Sequence, residues 1–129
     1  MYHCHIRFYL TGGQHGIFDI IKKMSPLEHF THEFYESGTP ETPLAVSADV
    51  IFADLTGKDA RTALQFLVSA KRKDARLILL ADKDQIASLS DSFNKIDDIW
   101  VLPLSDSELS FRFLKWQQAY KRDKDHWQD

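Results

Sequence analysis

A chain of 129 residues and 15.0 kDa, 43% hydrophobic and 27% charged, has the size and composition of one domain with its own core. Its formal net charge of -3 carries no general nucleic-acid footprint, and its single cysteine, Cys4, excludes an intrachain disulfide. Polar residues interrupt every apolar run before it reaches a secretory leader or the roughly 20 residues of a membrane span, so a cytoplasmic, membrane-free protein is expected.

In chain order, residues 3–10 read as a first strand, with Ile6, Phe8 and Tyr9 as its β-favouring residues. Thr11-Gly12-Gly13 breaks it. Ile17, Ile20, Ile21 and Met24 then fall at helical spacing within 14–24, and Ser25-Pro26 stops that helix. Residues 29–36 predict a second strand, with Phe30 and Phe34 on one face. Ser37-Gly38-Thr39-Pro40 is a turn, and Pro43 limits 41–48 to one short helical turn. Residues 49–55 form a continuous apolar strand between polar ends, the pattern of a central strand covered on both faces. Residues 59–73 put Ala60, Ala63, Leu64, Leu67 and Val68 on one helical face, with Lys71, Arg72 and Lys73 in the last turn. Residues 76–81 make a fourth strand, 83–93 a weak helix with Ile86, Leu89 and Phe93, and 98–102 a fifth strand stopped by Pro103. A last helix runs from about 106 to 124, capped by Ser105 or Asp106.

This alternation implies an α/β sandwich of three layers. With right-handed crossovers it gives a parallel five-stranded sheet of flavodoxin-like order 2-1-3-4-5. The exits of strands 1, 3, 4 and 5, at Thr11/Gly12, Asp54, Ala81/Asp82 and Leu102, then gather at one edge. In open α/β sheets that edge is where ligands bind.

The segment Asp97-Asp98-Ile99-Trp100-Val101-Leu102-Pro103, followed by Glu108-Leu109, resembles the receiver domain of two-component response regulators. So does the strand ending in Asp54. Receivers carry Asp-Asp-aromatic-apolar-apolar-Lys-Pro-Phe at the first of these places, and the resemblance covers nearly the whole chain. It implies that Asp54 is the candidate phosphoacceptor, that a histidine kinase is a possible partner and that Mg²⁺ is needed only if Asp54 is phosphorylated. Receivers often have a cis peptide at the place of Leu102-Pro103, which the sequence itself leaves open. The family's acidic pair falls on Leu10-Thr11 or Thr11-Gly12, its Thr/Ser on Ala81 beside Asp82, its Lys on Leu102 before Pro103, and its switch aromatic on Ile99. The loop after Asp54 is shorter than the family's and lacks its Met-Pro turn. One carboxylate makes a poor Mg²⁺ site, and without lysine or metal a phosphoryl group has little compensation for its charge. The expectation is a degenerate receiver, non-enzymatic, not phosphorylated by the usual Mg²⁺-dependent route. Asp54 itself then reads as a carboxylate accepting backbone hydrogen bonds in a loop, and two alternatives stay open: a phosphorylation-competent receiver using Asp54, and a small-ligand or nucleotide-binding domain using Gly12, Gly13 and Gly16.

Gly12, Gly13 and Gly16, with Glu36 twenty residues after Gly16, also resemble a dinucleotide turn, although the third glycine is Phe18. His3, His5, His29 and His32 lie around the first two strands as a weak metal candidate. Cys4 reads as a small buried hydrophobe. Leu109, Phe113, Trp116, Tyr120 and Trp127 follow a heptad-like seam, with Phe111 and Leu114 off it. The seam is read either as a partner face or as a wide core face. The resemblance implies homodimerisation through the fourth helix, fifth strand and last helix, with Trp100, Trp116 and Tyr120 as interface residues. It also implies an attached or separate output domain. Residues 1–124 are taken as the domain and the charged 125–129 as the start of a linker.

Overall fold

A computed structural model describes residues 4–12, 16–24, 28–57 and 59–128, with side chains through 122 in the last helix. The five expected strands are β1 (Cys4–Thr11), β2 (Phe30–Ser37), β3 (Val50–Asp54), β4 (Arg76–Asp82) and β5 (Asp98–Leu102). All pair in parallel in the order β2-β1-β3-β4-β5, the flavodoxin-like arrangement. The helices are α1 (Ile17–Lys23), α2 (Thr42–Ser47), α3 (Ala60–Ala70) and α4 (Asp106–Gln128).

Alternation along the strands divides the core in two. Ile6, Phe8, Phe52, Ile78 and Trp100 meet α1 and α4 on one face. Tyr9, Ile51, Leu77 and Leu79 meet α2, α3 and the segment after β4 on the other. Every residue of β3 is buried, as a strand covered on both faces requires. Acids just ahead of two strands tie their neighbours in register. Asp49 accepts the Arg7 amide at 2.8 Å, and Asp97 accepts the Leu77 amide at 2.7 Å. The Tyr9 hydroxyl accepts the Glu41 amide at 2.9 Å and meets the Ser37 hydroxyl at 2.5 Å, fastening the turn after β2.

Four local expectations change. The weak helix of 83–93 is two 3₁₀ segments, Lys83–Gln85 and Ala87–Lys95. There Ser88 and Ser90 donate their hydroxyls to the carbonyls three residues back, at 2.7 and 2.9 Å, a local alternative to the α-helical ladder. Helix α3 stops at Ala70, so Lys71–Lys73 lie outside its last turn. Lys71 instead donates to the Ala75 carbonyl at 3.1 Å and Arg72 turns back to Asp49 at 2.5 Å. The short segment before β3 forms six helical residues, with Pro43 in the first turn, where its missing N–H is harmless. Helix α4 continues to Gln128, because no Gly or Pro interrupts it after Asp106. Ser105 is its cap, accepting the Glu108 amide at 3.1 Å.

One polar contact joins β2 to α4. His32 Nε2 lies 2.9 Å from Gln117 Oε1, among the rings of Phe8, Phe30, Phe34 and Phe113. Burial lowers the His32 pKa below its ordinary 6.5, with nearby His5 acting the same way and the Gln117 bond partly opposing. The unfolded chain therefore binds the extra proton more readily than the fold. The His32 contribution is full above about pH 6.5 and is lost as pH falls through the lower folded value. Urea melts from pH 7.5 to 5 should show stability falling across that window, with a flatter slope in His32→Gln, which keeps a donor for Gln117 but cannot titrate.

Candidate functional site

Because all five strands are parallel, their carboxyl ends share one edge. The register sets Thr11 beside Ala53, Asp54 beside Leu80, and Asp82 beside Leu102. The sequence-predicted residues are thus brought to one edge. The Leu102-Pro103 peptide is cis, which supports the receiver resemblance.

Asp54 ends β3 with only 2% of its surface exposed. Its Oδ1 accepts the Thr56 amide at 3.0 Å and the Thr56 hydroxyl at 2.5 Å, an Asx-type turn that folds the short loop back over the acid. Leu55 and Thr56 are buried with it. The loop is fastened from β4 as well: Leu55 donates to the Leu80 carbonyl at 2.9 Å, and Gln85 Nε2 donates to the Leu55 carbonyl at 2.7 Å. Gln85 also accepts the Asp82 amide at 2.9 Å, so Asp82 serves as a cap for the 3₁₀ turn.

The backbone after β1 passes close to the end of β3. Gly12 adopts φ +102°, and a Cβ built on it would stand 2.4 Å from the Asp54 carbonyl oxygen. Only glycine permits this approach. Thr11 is buried, with a hydroxyl that has no partner among the described residues. Ala81 is buried and apolar, and Leu102 occupies the lysine position. A single enclosed carboxylate with one oxygen engaged by Thr56, and with no room for a second acid at Gly12, does not fit Mg²⁺, which takes several oxygens in octahedral geometry.

The remaining sequence candidates separate. Gly13 and His3 lie outside the described residues, and Gly16 is the left-handed residue before the seven-residue α1. Phe18, where the dinucleotide pattern has its third glycine, is buried in the core. Glu36 accepts Lys22 Nζ at 2.7 Å, a bond that raises the lysine pKa. His5 bonds Thr31 and Glu33, at 2.7 and 3.0 Å, and His29 pairs with Glu28 at 3.4 Å. No group of three or more His, Cys, Asp or Glu among the described residues is arranged to hold a metal. Cys4 is buried in the core.

The three residues assigned to a partner surface differ in exposure. Trp100 is fully buried, 5.2 Å from the Phe52 ring, with its indole N–H donated to Asp98 at 2.9 Å. Tyr120 is buried and Trp116 half-buried, and their rings pack at 5.2 Å. Leu109, Phe113, Trp116 and Tyr120 form the stripe that α4 lays on the sheet. The Trp127 side chain lies outside the described ones. Among the described side chains of α4, the exposed aromatic is Phe111, at 64%. Its position off the seam was the available signal.

No family model matches this chain, and no curated protein matches its sequence. Solved structures do match. The REC domain of AraT, a response regulator from Geobacillus stearothermophilus, superposes with TM-score 0.68 over 92% of this chain and 98% of its own, at 16% identity. The ChxR receiver domain from Chlamydia trachomatis gives 0.53 over 87% and 98%, at 12% identity. This chain has the receiver-domain fold. A putative CpaE2 pilus assembly protein from Sinorhizobium meliloti also matches, with TM-score 0.58 over 79% and 92% at 12% identity. Proteins of different description share this fold, and function therefore rests on the site. No helix among the described residues is long and apolar enough to cross a membrane.

The contact between Gly12 and Asp54 is open to a direct check. Gly12→Ala should destabilise the receiver fold by about 2 kcal/mol through steric overlap and an unfavourable φ. Gly38→Ala, with open space around the new methyl, should change the urea midpoint little.

Proposed function

We propose that this chain is an atypical receiver: a non-catalytic, cytoplasmic signalling module that takes its input by contact and passes it to an attached or separate output domain. The observation that carries the reading is the closure of the site around Asp54. The carboxylate is buried, Thr56 occupies one oxygen through two hydrogen bonds, and any side chain at Gly12 would collide with the Asp54 carbonyl. Phosphoryl transfer relies on positioning and on metal or cationic compensation of charge, and a sealed single acid favours neither. On this reading no metal or nucleotide is required, and a histidine kinase is not the regular partner. The domain is taken as 1–124, with 125–129 leading towards a linker. The competent phosphoreceiver is the rival reading.

An amide NMR titration with Mg²⁺ and beryllofluoride, a phosphoryl mimic, separates the two. The expected outcome is an unchanged spectrum from the folded protein. Saturable shifts around Asp54 that disappear in Asp54→Ala would restore the phosphoreceiver reading.

A further inference from the structure

The helices leave one corner of the sheet bare. Helix α2 has six residues, and its buried Ala45 joins the core beside Tyr9 and Ile51, towards the later part of β1. On the same face the earlier residues of β1 and β2 stay open. His5, Arg7 and Thr31 are exposed, and Glu33 and Tyr35 are partly exposed. Strand alternation puts these five side chains on one side of the sheet. The parallel register sets His5 beside Thr31 and Arg7 beside Glu33.

The His5 ring reaches both ways along β2. Its Nε2 lies 3.0 Å from Glu33 Oε2, and its Nδ1 lies 2.7 Å from Thr31 Oγ1. An ionised carboxylate only accepts, so Nε2 carries the ring hydrogen and donates it to Glu33. In the neutral ring Nδ1 is then an acceptor, and the Thr31 hydroxyl donates to it. Glu33 is held in turn by the Tyr35 hydroxyl on Oε1 and by Arg7 Nε, 3.5 Å from Oε2. The Tyr35 and His5 bonds keep the Glu33 carboxyl below its ordinary pKa, in its ionised form. Cross-strand polar pairs are ordinary on a sheet surface. Here the third group fixes which nitrogen is the base, and the hydroxyl proton lies on that base. Hydroxyl, imidazole and carboxylate, each oriented by the next, make an activated nucleophile.

We propose that Thr31 is a covalent modification site that takes an acyl group from an activated ester or thioester, with His5 as its base and Glu33 positioning His5. As Thr31 Oγ bonds the acyl carbon, its proton passes to His5 Nδ1. The bond from that carbon to the donor's oxygen or sulfur breaks, and the leaving group takes the proton away as an alcohol or thiol. The step is redox-neutral. The product is an ester on an exposed strand, formed once per chain, so the domain remains a signalling module. Thr31 stands towards the amino end of the parallel sheet and Asp54 at its carboxyl end, which makes this site separate from the sealed acid.

Incubation of the full chain with p-nitrophenyl acetate, followed by peptide mass mapping, tests it. Thr31 should gain an acetyl group roughly 100-fold faster than Thr62, at the low end of what a positioned base supplies. Thr62 is the reference because it is exposed and donates its hydroxyl to Asp59, at 2.8 Å, rather than to an imidazole. His5→Gln should bring Thr31 down to the Thr62 rate, and Thr31→Ser should still be labelled at position 31. Glu33→Gln can donate as well as accept, so it should slow labelling about tenfold by releasing the ring tautomer. Nitrogen-15 NMR reads that tautomer without any acyl donor: the wild-type His5 ring should carry its hydrogen on Nε2, and the Glu33→Gln ring should lose that preference. Circular dichroism verifies that each variant is folded. Labelling of Thr31 no faster than of Thr62, labelling that survives His5→Gln, or a wild-type ring with its hydrogen on Nδ1 would overturn the proposal. An unlabelled Thr31 would leave the closed Asp54 site standing, and a beryllofluoride response would leave the Thr31 site standing, so the two readings fail separately.

Discussion

Phe52 joins the sheet to its last helix. It sits at the middle of the central strand, and its ring lies 5.9 Å from Phe8 on β1, 5.2 Å from Trp100 on β5 and 5.9 Å from Phe113 on α4. The Phe113 ring is nearly parallel to it, and Trp116 closes the group edge-on at 6.1 Å. Aromatic pairs at such separations contribute about 0.5–1.5 kcal/mol each beyond the area they bury. Three strands and one helix are therefore held at a single residue. The rotation of α4 about its own axis follows from the way Phe113 and Trp116 meet that ring.

Much of this architecture was legible in the residues. Unbroken apolar runs at β3 and β4, each ended by an aspartate, named two inner strands, and alternation with helical periods gave the sheet order. What stayed hidden depended on tertiary contact. Leu109, Phe113, Trp116 and Tyr120 have the spacing of a coiled-coil seam, but a helix lying across a flat aromatic sheet needs the same stripe. Trp100 reads as a surface aromatic only if β5, an edge strand, is open on both faces, and α4 covers one of them. The 3₁₀ character after β4 comes from serine hydroxyls choosing nearby carbonyls, a competition that hydrophobic periodicity does not register.

The carboxyl edge was legible in a different way. Thr11, Gly12, Ala81 and Leu102 stand out in the sequence at the strand exits, but their residue types do not say what contacts they make there. Gly12 meets the Asp54 carbonyl, and Thr56 returns two hydrogen bonds to the Asp54 carboxylate. An acid followed two residues later by threonine signals such a turn. The approach of Gly12, more than forty positions away, required the β1–β3 register. The acid thereby helps to fasten its own loop.

Closure at the sheet edge and exposure along α4 belong to one arrangement. A helix fixed on its inner side by stacked rings has little freedom to turn, so the direction of its outer side chains is set by the core. Among the described residues, the inner stripe is apolar except at Gln117, which is fully buried and has no partner for its amide nitrogen. An unsatisfied buried polar group of this kind costs about 1–3 kcal/mol. Gln117 nonetheless holds His32 across 85 positions of chain, in the middle of the aromatic cluster. This polar pair therefore supplies direction more than strength. It specifies which turn of α4 faces β2, a register that rings alone leave less defined, and with it which turn carries Glu108, Phe111 and Lys115 outward.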